Sequence, residues 1–310
     1  MEPTGTIETR AYAKVNLALA VAPPHPEGHA DAGLHPVCSW MHAVDLHDTV
    51  RVIPTDPDDP SSFEIKWADG GDVSWPIEHD LAFRAHDAME QASGRHLPVR
   101  IEVIKSIPAG GGLGGGSADA AAVFMTLDRM FMLAFGGDKL TDLSRRLGSD
   151  IAFLIDPEVE PDNPPRPAIV EGLGDVVTRL APVRADITLI LPEFWCRTGA
   201  IFAAFDKSDR SGGFDPARVR QLASAQPIAS GARIASGDTI DSAGLFNDLA
   251  DPACAVQPEL GELRSALRES LQQPVHVTGS GSTLFILGHA DEAVIGRVAP
   301  GCRVVHTRLI

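Results

Sequence analysis

The residues with the clearest chemical potential lie in PAGGGLGGGSADAAA, Pro108 to Ala122. Six glycines, Gly110, Gly111, Gly112, Gly114, Gly115 and Gly116, surround Leu113, and the segment runs on into residues that could open a helix. Glycine lets the backbone bring N–H groups close to an anion. A helix start adds unpaired N–H groups and the positive end of a dipole. Ser117 can cap that helix or lend its hydroxyl to a phosphate or a metal ion. Lys105 stands three residues before Pro108, at the mouth of the loop, either along an anion site or as an edge-strand lysine. The structural alternative for the loop is a surface turn with a serine cap, which so many glycines make costly in backbone entropy.

Two better-known phosphate loops fit less well. Gly110, Gly112 and Gly115 match the dinucleotide fingerprint in form. That fingerprint also needs an acid at the end of the next strand, about 20 residues on. Asp128 falls inside the predicted helix instead. The P-loop needs a lysine after its last glycine, and here Gly116 is followed by Ser117 and Ala118. Three further places carry reactive groups. Asp150 follows Gly148 and precedes the apolar run IAFLI, where it could face a cleft or simply cap a turn. Lys14 and Asn16 share one face of an alternating segment, which reads as a solvated face or a cleft lining. Gly279, Ser280 and Gly281 lie in TGSGS, a second Gly/Ser loop that is either a hairpin connection or a cover for a ligand.

These groups need elements to position them. KVNLALAV (14–21) alternates as a strand, with Val15, Leu17, Leu19 and Val21 on the face opposite Lys14 and Asn16. VRIEVIKSI (99–107), ITLILP (187–192), PVHVT (274–278) and TLFILG (283–288) read as further strands. Helical spacing runs from Ser117 to Ala134, again over 138–148 with Gly148 as its stop, and over 258–271 behind Pro258. The mixture predicts a mixed α and β class, which the family resemblance described below narrows to α+β. DPEVEPDNPPRP (156–167) is acidic and Pro-rich and marks the expected domain junction. The span 207–238, rich in Ser, Gly and Ala, reads as partly mobile.

Composition narrows the classes. The chain has 310 residues, 44% apolar and 22% charged, with a net charge of −16. That balance argues against nucleic acid as the main partner, because phosphate backbones recruit an excess of Lys and Arg. No apolar run approaches the length of a membrane span, and no secretory signal is visible. Cys38, Cys196, Cys254 and Cys302 are too scattered for a zinc site or a disulfide framework. The expected setting is the cytoplasm, and the expected partner a small molecule.

The glycine loop resembles the phosphate loop of the GHMP kinase superfamily. The resemblance runs from about Ala11 to the C-terminus through AKVNLAL, GLH, HAVDLHDTV, IPAGGGLGGGSADAAA, RLGSDIAFLI, VEGLGD, FNDLADPA and VTGSGSTLF. It implies an N-terminal ATP-binding domain over 1–165, related to the second domain of ribosomal protein S5. It also implies a ferredoxin-like domain over 166–310, with ATP and substrate meeting between the two. The implied activity is ATP- and Mg²⁺-dependent phosphorylation of a small alcohol, with a cytidine diphosphate alcohol favoured over mevalonate, homoserine or a sugar. Lys14 and Asp150 would be catalytic. Lys105, Pro108, the glycines with Leu113, and Ser117 would hold ATP, and Ser117 or Asp150 would meet the metal. Asn16, His35, Thr198, Phe202, Gly279, Ser280 and Gly281 would bind the acceptor.

The match departs at one place. The family's base-stacking tyrosine is replaced by Leu34, which offers apolar area without an aromatic face. Phe202 matches the other stacking aromatic. A dinucleotide oxidoreductase and an inactive nucleotide-binding module are the competing classes. The missing ribose acid weakens the first, and retention of Lys14 and Asp150 weakens the second. Monomer and homodimer are both compatible with the sequence.

Overall fold

A computed structural model describes residues 5–208, 213–224 and 240–310. Its elements, in chain order, begin with strands β1 (Ile7–Val21), β2 (Val37–Pro54) and β3 (Ser62–Trp67), helix α1 (Leu81–Ser93) and strand β4 (Val99–Lys105). Helices α2 (Gly115–Met130), α3 (Gly136–Ser144) and α4 (Ile151–Leu154) follow, then strands β5 (Ala168–Gly172), β6 (Val176–Arg179) and β7 (Asp186–Leu191). Next come helices α5 (Thr198–Phe205) and α6 (Pro216–Ser224), strand β8 (Phe246–Asn247), and helices α7 (Ala250–Val256) and α8 (Pro258–Leu271). Strands β9 (His276–Val277) and β10 (Leu284–Leu287), helix α9 (Glu292–Val298) and strand β11 (Arg303–Arg308) complete the chain. Most of the span 207–238, read as partly mobile, lies outside the described residues; its described part includes α6.

The chain packs as two units. One holds the chain up to Ala13 with 46–107 and 114–165; the other holds 14–45, 108–113 and 166–310. One break therefore falls at residue 165, while the segments 14–45 and 108–113 pack with the C-terminal part.

In the first unit, β4 pairs in parallel with β3 and antiparallel with Thr49–Pro54 of β2. Its alternation puts Val99, Ile101 and Val103 inside. Helix α1 starts at Asp80, whose carboxylate accepts from Ala82 N, and ends on Gly94 at φ +63°. Helix α2 buries Val123, Phe124 and Leu127. It begins two residues before the predicted Ser117 and stops at Met130, short of the predicted Ala134. Met132 and Ala134 take φ +49° and +55°, and the Asp128 carboxylate draws Phe135 N back at 2.9 Å. Helix α3 likewise ends at Ser144, with Leu147 and Gly148 N–H both returning to the Ser144 carbonyl in a turn.

In the second unit, β7, β9, β10 and β11 form an antiparallel sheet in the order β11-β7-β10-β9. Counted in chain order this is 4-1-3-2, the ferredoxin-like arrangement. Ile190, Ile201, Phe205, Leu260, Leu267, Val277, Leu284 and Ile295 fill the core between this sheet and α5, α7, α8 and α9. Residues 37–41 of β2 pair with β5, and Ala18 and Leu19 of β1 pair in parallel with β8. Both faces of β1 are buried from Ala11 onward, so Lys14 and Asn16 are 2% and 3% exposed rather than solvated. Among the described residues, no helix is long and apolar enough to cross a membrane.

Candidate active site

The glycine loop is built by alternation. Gly110, Gly112 and Gly114 take φ +73°, +78° and +72°, a conformation that side chains resist. Residues 108–113 are clamped by backbone bonds within the second unit. Thr283 N–H donates to Gly111 O at 3.1 Å, and Lys14 N–H donates to Leu113 O at 2.9 Å. The fit is tight: a Cβ on Gly112 would sit 2.5 Å from Thr278 O, and one on Gly111 2.7 Å from Thr283 Oγ1. A Cβ on Gly110 would meet Trp195 at 3.2 Å. Protein packing alone therefore opposes a side chain at all three positions, most firmly at Gly112.

The loop 278–282 is the hairpin connection between β9 and β10, since Leu284 pairs with Val277. It is fastened to β1. Asn16 N–H donates to Thr278 Oγ1 at 3.0 Å, and Thr278 Oγ1 donates to Asn16 Oδ1 at 3.3 Å. Lys14 Nζ donates to the same Asn16 Oδ1 at 2.7 Å, while Asn16 Nδ2 donates to Ser39 Oγ at 2.8 Å. A Cβ on Gly279 would stand 3.4 Å from Lys14 Nζ. Asn247 holds the hairpin from the other side, donating to Val277 O and Gly279 O at 2.8 Å each. Lys14, Asn16, Gly112 and Gly279 are thus brought together, with a buried ammonium set against a glycine backbone.

The rest of the loop belongs to the first unit. Helix α2 starts behind Gly114 with no side chain capping it. Its opening N–H groups and the positive end of its dipole suit a phosphate, so the residues present fit a nucleotide polyphosphate. Ser117 does not cap the helix. Its hydroxyl lies 3.6 Å from where a Cβ on Gly148 would stand, which places the LGSD segment beside the helix start. Asp150 occupies the position before α4, yet its side chain makes no capping bond there. The common structural use of an aspartate at such a position is not the one made here.

Lys105 is not the edge-strand lysine of the structural alternative. It is 3% exposed, its β4 lies between β2 and β3 rather than at an edge, and its ammonium donates to the carboxylates of Asp48 and Asp119. Burial alone would lower its pKa, but Asp119 and Asp48 outweigh that and hold the ammonium above its ordinary range. Burial pushes Asp119 well above the usual carboxylate range, with Lys105 opposing and Asp48 adding to the shift. Asp48 also accepts from Ser106 N and Ile107 N, the latter at 2.7 Å. The cluster ties β2, the entry to the glycine loop and α2 together from beneath.

His35 and Phe202 come together, their ring centroids 4.9 Å apart. Leu34 points outward at 52% exposure. His35 Nδ1 donates to Ala22 O at 2.9 Å and Nε2 faces Asp206 Oδ2 at 3.4 Å. Both ring nitrogens thus already face protein oxygens, so the imidazole's first duty is to fix residues 22–35 onto α5. Thr198 Oγ1 and Ser280 Oγ are 2.9 Å apart, joining two more of the expected acceptor residues.

Sequence reasoning missed Asp48, Ser39, Thr278, Asn247 and Trp195 as site-building residues. Asp48 and Asn247 stand in HAVDLHDTV and FNDLADPA, segments noticed for resemblance only. A lone polar residue in an apolar run, as Ser39 is in VCSWM, was the available signal, whereas Asp48 stands between His47 and Thr49 and carried none.

Comparisons with known proteins converge. Residues 80–155 match the family described as GHMP kinases N terminal domain. The chain is 33% identical over 295 residues to a 4-diphosphocytidyl-2-C-methyl-D-erythritol kinase of Kineococcus radiotolerans, covering 93% of this chain and 83% of that one. It is 33% identical over 292 residues to the enzyme of the same name from a Nocardioides species, covering 92% and 89%. A solved 4-(cytidine 5'-diphospho)-2C-methyl-D-erythritol kinase superposes with TM-score 0.71 at 27% identity, covering 98% of this chain and 99% of that one. The homoserine kinase of Cytophaga hutchinsonii, at 14% identity and TM-score 0.62 over 100% and 96% of the two chains, shares the fold.

Proposed function

This chain belongs to the 4-diphosphocytidyl-2-C-methyl-D-erythritol kinase family of GHMP kinases, and from that premise we propose how it acts and on what. It is a small-molecule kinase. The reaction is transfer of the γ-phosphoryl group of ATP to the 2-hydroxyl of 4-diphosphocytidyl-2-C-methyl-D-erythritol, in non-mevalonate isoprenoid precursor synthesis. The acceptor oxygen bonds to the γ-phosphorus as the bond to the ADP oxygen breaks, and the hydroxyl proton leaves to a protein base. The observation that carries the reading is the uncapped start of α2 behind the left-handed Gly114, in a chain whose relatives bear this kinase name.

In this reading Pro108, residues 110–116 and Ser117 hold the ATP phosphates. Mg²⁺, which usually keeps several waters and takes one or two protein oxygens, is met by Ser117 or Asp150. Bound there, it would neutralise charge on the phosphates. Asp150 orients the acceptor hydroxyl and takes its proton late, and Lys14 stabilises the negative charge that develops on the transferring group. Asn16, held by Lys14 and Ser39, presents the acceptor's polar groups to the Thr278–Ser282 hairpin. Phe202 stacks on the base beside His35, and Thr198 with Ser280 lines the same pocket. Lys105 supports the loop from within rather than touching ATP. The setting is the cytoplasm and the working species a monomer or homodimer.

The replacement of the family tyrosine by Leu34 favours one second reading, a GHMP-type kinase for another small alcohol. Phosphorus NMR after incubation with ATP, Mg²⁺ and the cytidine diphosphate alcohol separates the two. We expect ADP and a new phosphomonoester resonance alongside an intact diphosphate. If that resonance is absent, and mevalonate or homoserine gives one instead, the acceptor assignment fails.

A further inference from the structure

The loop from Ala22 to Pro36 has an organised interior that the kinase chemistry does not use. It is closed by Ala22 N–H to Pro36 O at 2.8 Å and laced by a short ladder: His25 N–H to Leu34 O at 2.9 Å and Gly33 N–H to His25 O at 3.0 Å. Inside that ladder the chain turns twice more, with His29 N–H to Pro26 O at 3.2 Å and Ala32 N–H to His29 O at 3.1 Å. These turns bring His25, His29 and Asp31 together. One ligand-capable atom from each lies within 4.8 Å of the others. The two imidazoles are stacked, their centroids 4.0 Å apart and their planes within 6° of parallel. His29 Nδ1 accepts Asp31 N–H at 3.1 Å, so that nitrogen carries a lone pair rather than a proton, and Asp31 Oδ2 is 3.8 Å from it.

We propose that His25, His29 and Asp31 form a binding site for a divalent transition-metal ion of the zinc class, which clamps the loop presenting Leu34 and His35. The donor set decides the metal class. Two imidazoles and a carboxylate suit zinc, whereas magnesium and calcium prefer all-oxygen shells. Three protein ligands leave a fourth, tetrahedral position for water. The metal takes over the His29 Nδ1 lone pair from the Asp31 amide, and the cost of that lost hydrogen bond is offset by two further ligands already within reach. The clamp acts where the ladder does. His25 bonds through its backbone to both Gly33 and Leu34, so fixing its side chain also fixes the two residues before His35.

The test uses the full chain after treatment with a chelator. Zinc is titrated by calorimetry into the wild type, His29→Ala and His25→Ala/His29→Ala, with magnesium as the counter-probe. His29 is exposed, so its removal leaves the core untouched. We expect a single tight equivalent in the wild type, weakened in His29→Ala by at least the ~10–100-fold that loss of even an outer-shell partner costs. No comparable magnesium binding is expected. Hydrogen exchange supplies the second reading: zinc should slow the amides of His25, Gly33 and Leu34 in the wild type and leave them unchanged in the double variant. Equal zinc affinity in wild type and double variant overturns the site, as does zinc protection confined to other segments. Neither readout involves phosphoryl transfer, so a negative result here leaves the kinase reading standing.

Discussion

Asp150 is the residue on which the chemistry is most exposed to test. Its backbone sits before α4 at φ −85° and ψ −14°, helical rather than the extended geometry of a capping residue, and its side chain makes no capping bond. The Asp150→Asn variant keeps the shape and removes the charge and the proton acceptor. We expect kcat to fall roughly a hundredfold or more, the scale of general-base contributions. ATP affinity, read by nucleotide titration, and the melting temperature should hold. A structural role would show the reverse, with melting lowered and turnover kept. Lys14 illustrates how one residue serves two ends: its backbone N–H holds Leu113 O, while its ammonium meets Asn16 Oδ1.

Among elements, residues 108–113 and the β9–β10 hairpin behave as one construction. A side chain at Gly112 would strike Thr278 O before it reached a ligand. Loss of ATP affinity in a Gly112 variant would therefore report displacement of the β9–β10 hairpin as much as a blocked phosphate. The buried cluster below offers a cleaner experiment. Lys105→Met removes the ammonium that pairs with both Asp48 and Asp119, leaving two buried carboxylates without it. Breaking such a cluster from one side costs about 3–5 kcal/mol, because desolvated charge is left uncompensated. Urea unfolding should show that loss, and adding Asp119→Leu should recover part of it, since Asp48 keeps its bonds from Ser106 and Ile107 N–H. A fully stable Lys105→Met protein would mean the ammonium is not needed there.

For the molecule as a whole, one buried histidine and one half-buried histidine set an acid limit. Burial pushes His42 from 6.5 down to about 4. Its Nδ1 donates to Ala43 O and its Nε2 accepts Val183 N–H, a bond that protonation would break. Burial, followed by Arg264 and Arg268, lowers His276 to about 4 as well. In the unfolded chain both would take up protons near 6.5, while in the folded chain neither does until about 4. Their contribution to stability is therefore full above that upper value and is lost as pH falls through the window to about 4. The slope is up to about 1.4 kcal/mol per pH unit for each group. Urea midpoints measured across the window should fall with pH, and His42→Asn should flatten the fall. An unchanged slope in that variant would remove His42 from the account.

What the sequence determined by itself was local. Glycines around one leucine favour an irregular loop, although Gly115 and Gly116 open α2, and the alanine-rich run behind them favours helix. Alternation made β1 and β4 legible for the same reason: a strand's faces repeat every two residues. The ferredoxin-like half was implied by the family likeness alone. Tertiary structure decided what each polar group touches. Lys105 reads as a loop-mouth cation until Asp48, 57 residues away in sequence, is placed against it. Asn16 reads as a strand residue until Thr278, 262 residues on, meets it. Gly112 reads as a loop glycine until Thr278 O is found in the space a side chain would need. Spacing along the chain sets periodicity, but burial and partners come from segments distant in sequence, and those fix whether a charge is solvated, paired or free to do chemistry.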